Sequence, residues 1–243
     1  MFSVTGMQGF ELFSSVHIWT LVAFFVACGV LVYFRNKGKM YQQIIKWTLF
    51  LFLPACEISS HLWLILTDQW DVSDLPLQLC SLSTFLAMYL FLKKNHKMFY
   101  LLYFFGTLPS FLAMVTPEMV YTFPHFHYIE YFLHHSILPL AALYFILYEG
   151  YRVPRKAILS SYVTANIIAI PIFILNKLID TNFFYLAAPT QSETILTFFG
   201  TGIMYYINLE IAALIVFGIT YIPMEILQMI EKKKQKGEGS GLS

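Results

Sequence analysis

Residues 16–34 read VHIWTLVAFFVACGVLVYF, and the five residues that follow, 35–39, read RNKGK. The first stretch contains no Asp, Glu, Lys or Arg, and as a helix it is long enough to cross a hydrocarbon core of about 30 Å. Basic residues directly behind such a stretch are typical of the cytosolic end of a membrane helix. The sequence therefore predicts a transmembrane helix here, and the same combination recurs along the chain.

The whole chain shares this apolar character. Hydrophobic residues make up 58% of its 243 positions and charged residues 12%, whereas a soluble domain is roughly half apolar and about a quarter charged. We predict an all-α membrane protein, a bundle of seven transmembrane helices that forms a single domain over residues 1–230. The predicted helices cover residues 16–34, 44–66, 76–92, 98–116, 129–148, 157–179 and 202–225.

The charged residues are distributed unevenly over the predicted loops. All but one of the 15 Lys and Arg residues flank loops on the same side of a seven-helix topology, and the exception is Lys177. The basic residues are Arg35, Lys37, Lys39, Lys46, Lys93, Lys94, Lys97, Arg152, Arg155, Lys156, Lys232, Lys233, Lys234 and Lys236. The opposite side carries Asp68, Asp71, Asp74, Glu118, Glu130, Asp180 and Glu193.

The positive-inside rule places the basic loops in the cytosol. We therefore predict that the N-terminus lies outside and the C-terminus in the cytosol. Residues 231–243 are expected to form a basic cytosolic tail, with a disordered Gly- and Ser-rich end that in part resembles a linker. The expected location of the protein is the plasma membrane.

Polar residues inside the predicted helices are candidate functional residues, because an ionisable group at the centre of a membrane helix costs at least ~2.5 kcal/mol on insertion scales. Counting inward at 1.5 Å per residue places six of them in one layer of the outer half of the bilayer. They are Glu57, His61, Cys80, His134, Asn208 and Glu210. The inner half holds little to match them. This one-sided pattern favours a cavity open to the outer leaflet over a channel.

Two carboxylate–imidazole pairs stand at helical spacing. Glu57 and His61 are four residues apart, as are Glu130 and His134, so each pair shares one helix face. The first pair fits two interpretations, an oriented base or ligand-binding pair, or a mutually satisfied buried pair that holds helices together. In the second pair, Glu130 could fix the tautomer of His134 and raise its basicity. His135 points about 100° away from His134, so we expect it to be a packed or capping side chain.

The three cysteines all fall within predicted helices, so no disulfide framework is indicated. Cys28 and Cys56 are interpreted as packing residues. Cysteine is a common buried small hydrophobe, and Cys80 fits that interpretation too. However, Cys80 has the same predicted depth as His134, and a thiol beside an imidazole can form a nucleophilic thiolate–imidazolium pair.

Two further features lie near the outer boundary. His125 and His127 form an H-x-H pattern without a clustered third ligand, so we predict solvated interfacial histidines and neither a metal nor a cofactor. Lys177 could reach water or bind a lipid phosphate.

Residues 75–80 (LPLQLC) and 134–139 (HHSILP) carry a family resemblance. In these segments the chain resembles the bacterial YwaF-like membrane proteins, which are related to eukaryotic transmembrane protein 164. The resemblance implies an acyltransferase that moves fatty acyl chains between phospholipids, with Cys80 as nucleophile and His134 as base. A more distant similarity, to the androgen-induced lipid-ester hydrolases, rests on a histidine five residues before a proline; those enzymes use a threonine nucleophile.

The leading hypothesis is a lipid acyltransferase or transacylase with phospholipids and lysophospholipids as its partners and no nucleic acid. Glu130 would orient His134, and Gln78, Asn208 or backbone N–H groups would stabilise the oxyanion. The remaining supporting or substrate-binding candidates are Glu57, His61, His135, Glu210 and Lys177. The alternatives are a lipid-ester hydrolase on the same scaffold, a seven-helix lipid-binding protein or receptor, and, less favoured, a transporter.

Overall fold

The computed structural model describes residues 1–189 and 194–240, without the side chains of 195 and 236–240. Within these residues the secondary structure is helical, apart from an isolated bridge between Gln8 and Tyr121. The α-helices are α1 Ser15–Phe34, α2 Lys39–Leu66, α3 Leu79–Leu92, α4 His96–Gly106, α5 Leu108–Val115, α6 Phe126–Leu147, α7 Ala157–Ile179 and α8 Ile203–Ser240. Short 3-10 helices cover Val72–Asp74, Phe183–Tyr185 and Ile195–Phe199.

Seven segments of the described chain are long and apolar enough to cross a membrane, which confirms the predicted seven-helix membrane fold. The third segment runs from Val72 to Leu92 and contains α3. The fourth, His96–Val115, contains two helices, α4 and α5. We predicted a single helix over 98–116, whereas the structure has a break between α4 and α5. This break places the start of α5 inside the membrane segment.

The break between α4 and α5 lies at Thr107, whose φ of −97° and ψ of −86° are not helical. Pro109 follows at the start of α5, a position where its missing N–H costs no helical hydrogen bond. The Thr107 hydroxyl donates to the carbonyl of Tyr103, which compensates part of the lost backbone bonding. Membrane helices tolerate such breaks when neighbouring groups satisfy the backbone.

Helix α6 lies at the centre of the bundle and contacts α1 to α5. The most peripheral helix is α7, in which only Ala157, Ser161 and Asn176 are buried. Polar side chains of α6 therefore face other helices, whereas most of α7 is left for lipid.

The basic loops meet at one end of the bundle. Lys94 Nζ lies 2.8 Å from Glu149 Oε2, and the Arg152 guanidinium pairs with Glu231 of α8. The Tyr148 hydroxyl donates to the carbonyl of Leu31 at 2.7 Å. The basic loops that the sequence places on one side of the topology therefore lie together at one end of the folded bundle.

The last helix is longer than the sequence suggested. We predicted its end at residue 225, where the apolar run stops, but α8 continues to Ser240. The added residues include Glu, Lys and Gln, which are good helix formers. The expected disordered end is therefore helical as far as Ser240, while residues 241–243 and Glu193 lie outside the described residues.

Packing between α4 and α8 depends on aromatic side chains. Phe104 is 0% exposed, and its ring stacks on that of Phe217 with centroids 5.0 Å apart. We expect Phe104→Ala to destabilise the protein by about 3 kcal/mol, the low end for a buried Phe, because lipid tails compete for the same packing. Thermal unfolding in lipid nanodiscs measures this loss. The control is Phe198→Ala, since Phe198 is 85% exposed, and equal melting of the two variants would contradict the prediction.

Candidate functional site

Helices α3 and α6 bring a thiol and an imidazole together. Cys80 Sγ lies 3.1 Å from His135 Nε2, within range of a hydrogen bond from the thiol to the ring nitrogen. His135 is buried and Cys80 is partly buried. Because Cys80 is the second residue of α3 and His135 lies in the first half of α6, the pair sits in the half of the bundle opposite the basic loops.

The second ring nitrogen of His135 determines its tautomer. His135 Nδ1 lies 2.8 Å from the backbone carbonyl of Tyr131. A carbonyl oxygen only accepts hydrogen bonds, so Nδ1 carries the proton and the lone pair of Nε2 faces Cys80. The Tyr131 ring also packs on the imidazole, with centroids 4.1 Å apart. This is the arrangement that a general base for a thiol requires.

The histidine beside Cys80 is not the one that we expected. We predicted a contact with His134 and interpreted His135 as a packed or capping side chain, but His135 makes the contact. His134 Nε2 lies instead 2.7 Å from Thr84 Oγ1. Adjacent residues of a helix diverge by about 100°, and here the two rings reach α3 at positions one helical turn apart, Cys80 and Thr84.

His134 lies between two carboxylates. Its Nε2 is 3.5 Å from Glu57 Oε2, and its Nδ1 is 3.8 Å from Glu130 Oε1. Glu57 Oε1 is also 3.6 Å from His61 Nε2, and Glu130 Oε2 is 3.9 Å from His127 Nδ1. Most of these distances exceed an ordinary hydrogen bond, so they are close approaches of polar groups in a buried region. The two pairs at helical spacing thus join one buried polar cluster.

Three predicted site residues have contacts elsewhere. Asn208 donates to the carbonyl of Phe199 at 3.0 Å, and Glu210 accepts from Tyr162 and Asn166 of α7. Lys177 lies over the ring of Phe173, 5.7 Å from its centroid. Their depth along the helix axis was counted from the sequence, but depth does not determine the direction in which a side chain points. The contacts of these three side chains therefore lie in α7, α8 and the loop between them, away from the two histidines.

The loop after α7 is held against the start of α3. Gln78 Oε1 accepts a hydrogen bond from Phe184 N at 2.9 Å, so this carbonyl oxygen is engaged by the loop backbone. Tyr185 donates to Glu118 Oε2 at 2.9 Å. Burial, followed by the charge of Glu118, raises the pKa of Tyr185, so the phenol keeps its proton. Phe184 and Tyr185 both have positive φ, 59° and 54°, a strained conformation for residues other than glycine.

His125 and His127 are not the solvated pair that we predicted. His125 is 0% exposed, its Nε2 lies 3.1 Å from the carbonyl of Ser3, and its ring stacks on Tyr121. Burial lowers the pKa of His125. The N-terminal segment covers this loop, with backbone hydrogen bonds that include Thr122 N to the carbonyl of Met7, and so contributes to the burial of His125. In the described residues no group of three or more His, Cys, Asp or Glu side chains is placed to hold a metal ion.

Two residues of the site were not singled out from the sequence. Thr84 follows Cys80 by four positions, the same spacing as the two Glu–His pairs, so this periodicity could have identified it. Ser110 is fully buried and lies beside the Cys80 thiol. Nothing in the sequence marks Ser110, because its position depends on the break between α4 and α5.

Comparison with known proteins identifies a family. A family model for the TMEM164 family matches residues 12–221, which include α1 to α7 and much of α8. No curated protein and no solved structure matches the chain. The family match confirms the predicted relationship to transmembrane protein 164, whereas the narrower resemblance to YwaF-like proteins stays a prediction.

Proposed function

This chain belongs to the TMEM164 family, and on that premise we propose that it is a membrane-embedded lipid acyltransferase or transacylase that acts through Cys80 and His135. The observation that carries the proposal is the 3.1 Å approach of Cys80 Sγ to His135 Nε2. The Tyr131 carbonyl supports it, because it holds the imidazole in the tautomer that accepts the thiol proton.

In the first half-reaction, His135 Nε2 takes the proton of the Cys80 thiol, and the sulfur attacks the carbonyl carbon of an acyl ester in a phospholipid. A carbon–sulfur bond forms and the carbonyl electrons move to oxygen. When this intermediate collapses, the ester carbon–oxygen bond breaks, and the leaving lysophospholipid takes the proton from His135. Cys80 then carries the acyl chain as a thioester.

The second half-reaction reverses these steps with another acceptor. The hydroxyl of a lysophospholipid gives its proton to His135 and attacks the thioester carbonyl. The carbon–sulfur bond breaks, and the sulfur recovers its proton from the imidazole. Phospholipids and lysophospholipids are thus the proposed donors and acceptors, and water as the acceptor would make the same site a hydrolase.

An apolar groove next to the loop that is bonded to the start of α3 supports a lipid substrate. An apolar groove of about 200 Å³ runs along α7, and its lining includes Phe173, Ile174 and Leu186. Leu186 belongs to the loop whose Phe184 N–H bonds to Gln78, two positions before Cys80. We propose that this groove holds an acyl chain. With the basic end in the cytosol, the N-terminus outside and the plasma membrane as the location, the thiol would meet lipids of the outer leaflet.

A lipid-ester hydrolase is the second candidate, and one observation favours it. Thr84 Oγ1 lies 2.7 Å from His134 Nε2, and Glu130 approaches the other nitrogen of that ring. A hydroxyl, an imidazole and a carboxylate in this order can form an acyl-enzyme on oxygen. We rank it second because a hydroxyl is the weaker nucleophile and Thr84 is fully buried, whereas Cys80 is partly exposed.

The acyl-enzyme is the direct test of the proposal. The protein, reconstituted in nanodiscs, is incubated with glycerophospholipids that carry an alkyne-tagged acyl chain, and the attached label is mapped by mass spectrometry. We expect the label on Cys80, removable by neutral hydroxylamine because it is a thioester. A Cys56→Ser protein, in which a buried packing cysteine of α2 is changed, serves as control and should keep the label. Label that resists hydroxylamine and maps to Thr84 would support the hydrolase, and unlabelled protein would overturn both proposals.

A further inference from the structure

We propose that Ser110 is a further catalytic residue, whose hydroxyl and backbone N–H bind the oxyanion that forms when Cys80 attacks an ester. The inference rests on the proposed function and adds to it the group that stabilises the reaction intermediate. Of the two side chains expected in this role, Asn208 uses its Nδ2 to donate to the carbonyl of Phe199. Gln78 is bonded to Phe184 N only through the acceptor Oε1, so its amide N–H could add to the donors of Ser110.

The break in the fourth span provides the first observation. Because α4 ends at Gly106 and α5 begins at Leu108, a helix N-terminus lies inside the segment that crosses the membrane. The N–H groups in the first turn of a helix have no acceptor within the helix, and this end of the helix dipole is positive. No side chain caps α5. Ser110 stands in that first turn.

The Ser110 side chain provides a second, independent observation. Ser110 is 0% exposed, and within the described part of the chain Oγ makes no hydrogen bond of ordinary length and angle, although it lies near enough to the Cys80 sulfur to interact with a thiolate there. Other hydroxyls close by are satisfied: Ser83 donates to the carbonyl of Leu79 and Ser136 to the sulfur of Met114. A buried hydroxyl without a partner is uncommon in folded proteins. This one is free to donate to a ligand that arrives at the thiol.

Packing holds the break next to the nucleophile. A Cβ built on Gly106 would lie 3.5 Å from Ser83 Cβ and 3.7 Å from Leu138 Cβ, so the end of α4 is in close contact with both α3 and α6. These are the helices that carry Cys80 and His135. The start of α5 is therefore fixed relative to the thiol and the imidazole before any substrate binds, which is the preorganisation that an oxyanion site needs.

The chemistry follows from this position. In the tetrahedral intermediate, the negatively charged oxygen is bonded to the carbon that Sγ has attacked, so a donor beside Sγ also reaches that oxygen. The hydroxyl and N–H of Ser110 donate to it while the charge exists, and they release it when the carbonyl re-forms. Ser110 exchanges no proton or electron pair with the substrate, and His135 carries out the proton transfers as described above.

The rates of acylation and of alkylation of Cys80, measured on the same protein, distinguish oxyanion binding by Ser110 from a packing role. Attack on an acyl ester passes through an oxyanion, whereas alkylation of Cys80 by iodoacetamide is a displacement at a saturated carbon and does not. We expect Ser110→Ala to lower the rate of acylation by the tagged phospholipid about 10²- to 10³-fold, the usual effect of removing one oxyanion donor. The alkylation rate should fall much less, because alkylation loses only the contact between the Ser110 hydroxyl and the thiolate. The conservative Ser110→Thr should retain most of the acylation rate.

The outcomes are distinguishable. If Ser110→Ala acylates at the wild-type rate, or if acylation and alkylation fall by the same factor, the proposed role of Ser110 is wrong, and in the second case the residue acts only on the thiol. Thermal unfolding of each variant separates these results from misfolding, and Ser110→Thr provides the comparison if Ser110→Ala does not fold. Wild-type protein that alkylates at Cys80 but forms no thioester would instead reject the acyltransferase function, and this inference with it.

Discussion

Cys80→Ala is expected to abolish transfer of an acyl chain from phospholipid to lysophospholipid, a loss of about 10⁴-fold or more, because the nucleophile carries the covalent intermediate. No other thiol takes its place, since Cys28 and Cys56 lie on α1 and α2. The measurement is the appearance of tagged product phospholipid in nanodiscs, followed by mass spectrometry. Cys28→Ala is the matched control, because Cys28 is also partly buried.

The same assay discriminates between the two candidate nucleophiles. If Cys80→Ala remains active while Thr84→Val is inactive, the reaction proceeds through the Thr84–His134 pair and the hydrolase is the better description. If the wild type transfers no acyl chain from any donor lipid tested but still binds lipid, the alternative of a lipid-binding protein or receptor is favoured. These outcomes correspond to the alternatives that the sequence leaves open.

The second large effect concerns the general base. His135→Ala is expected to lower acyl transfer by about 10²- to 10⁴-fold, the usual contribution of a positioned base. It should also slow alkylation of Cys80 by iodoacetamide, because the imidazole that accepts the thiol proton has gone. Initial rates of both reactions, measured at one pH, test the prediction.

His134→Ala is the control for that experiment, since it removes the adjacent imidazole of the same helix. Because His134 bonds to Thr84, we expect alkylation of Cys80 in this variant to stay near the wild-type rate. The reverse result, with slow alkylation in His134→Ala and normal alkylation in His135→Ala, would mean that the contact at 3.1 Å is not the productive one. His134, the residue that the family resemblance implies, would then be the general base.

Part of the candidate site was accessible from the sequence because it depends only on local geometry. The spacing of Glu57 to His61 and of Glu130 to His134 placed each pair on one helix face, and the structure has both pairs within 4 Å. The place of Cys80 in a polar layer opposite the basic loops likewise followed from the rise per residue. By contrast, Asn208 and Glu210 share that layer but lie on α8, which pairs them with its neighbours.

The sequence by itself determined the seven membrane segments, the gathering of basic residues at one end and the polar layer in the opposite half. These properties depend on the length, hydropathy and spacing of residues within single helices, and such quantities can be counted along one chain. Tertiary structure alone decided that His135 rather than His134 reaches Cys80, and that Ser110 lies near the Cys80 sulfur. Such contacts depend on how each helix is rotated about its axis and where it breaks, and packing against the neighbouring helices determines both.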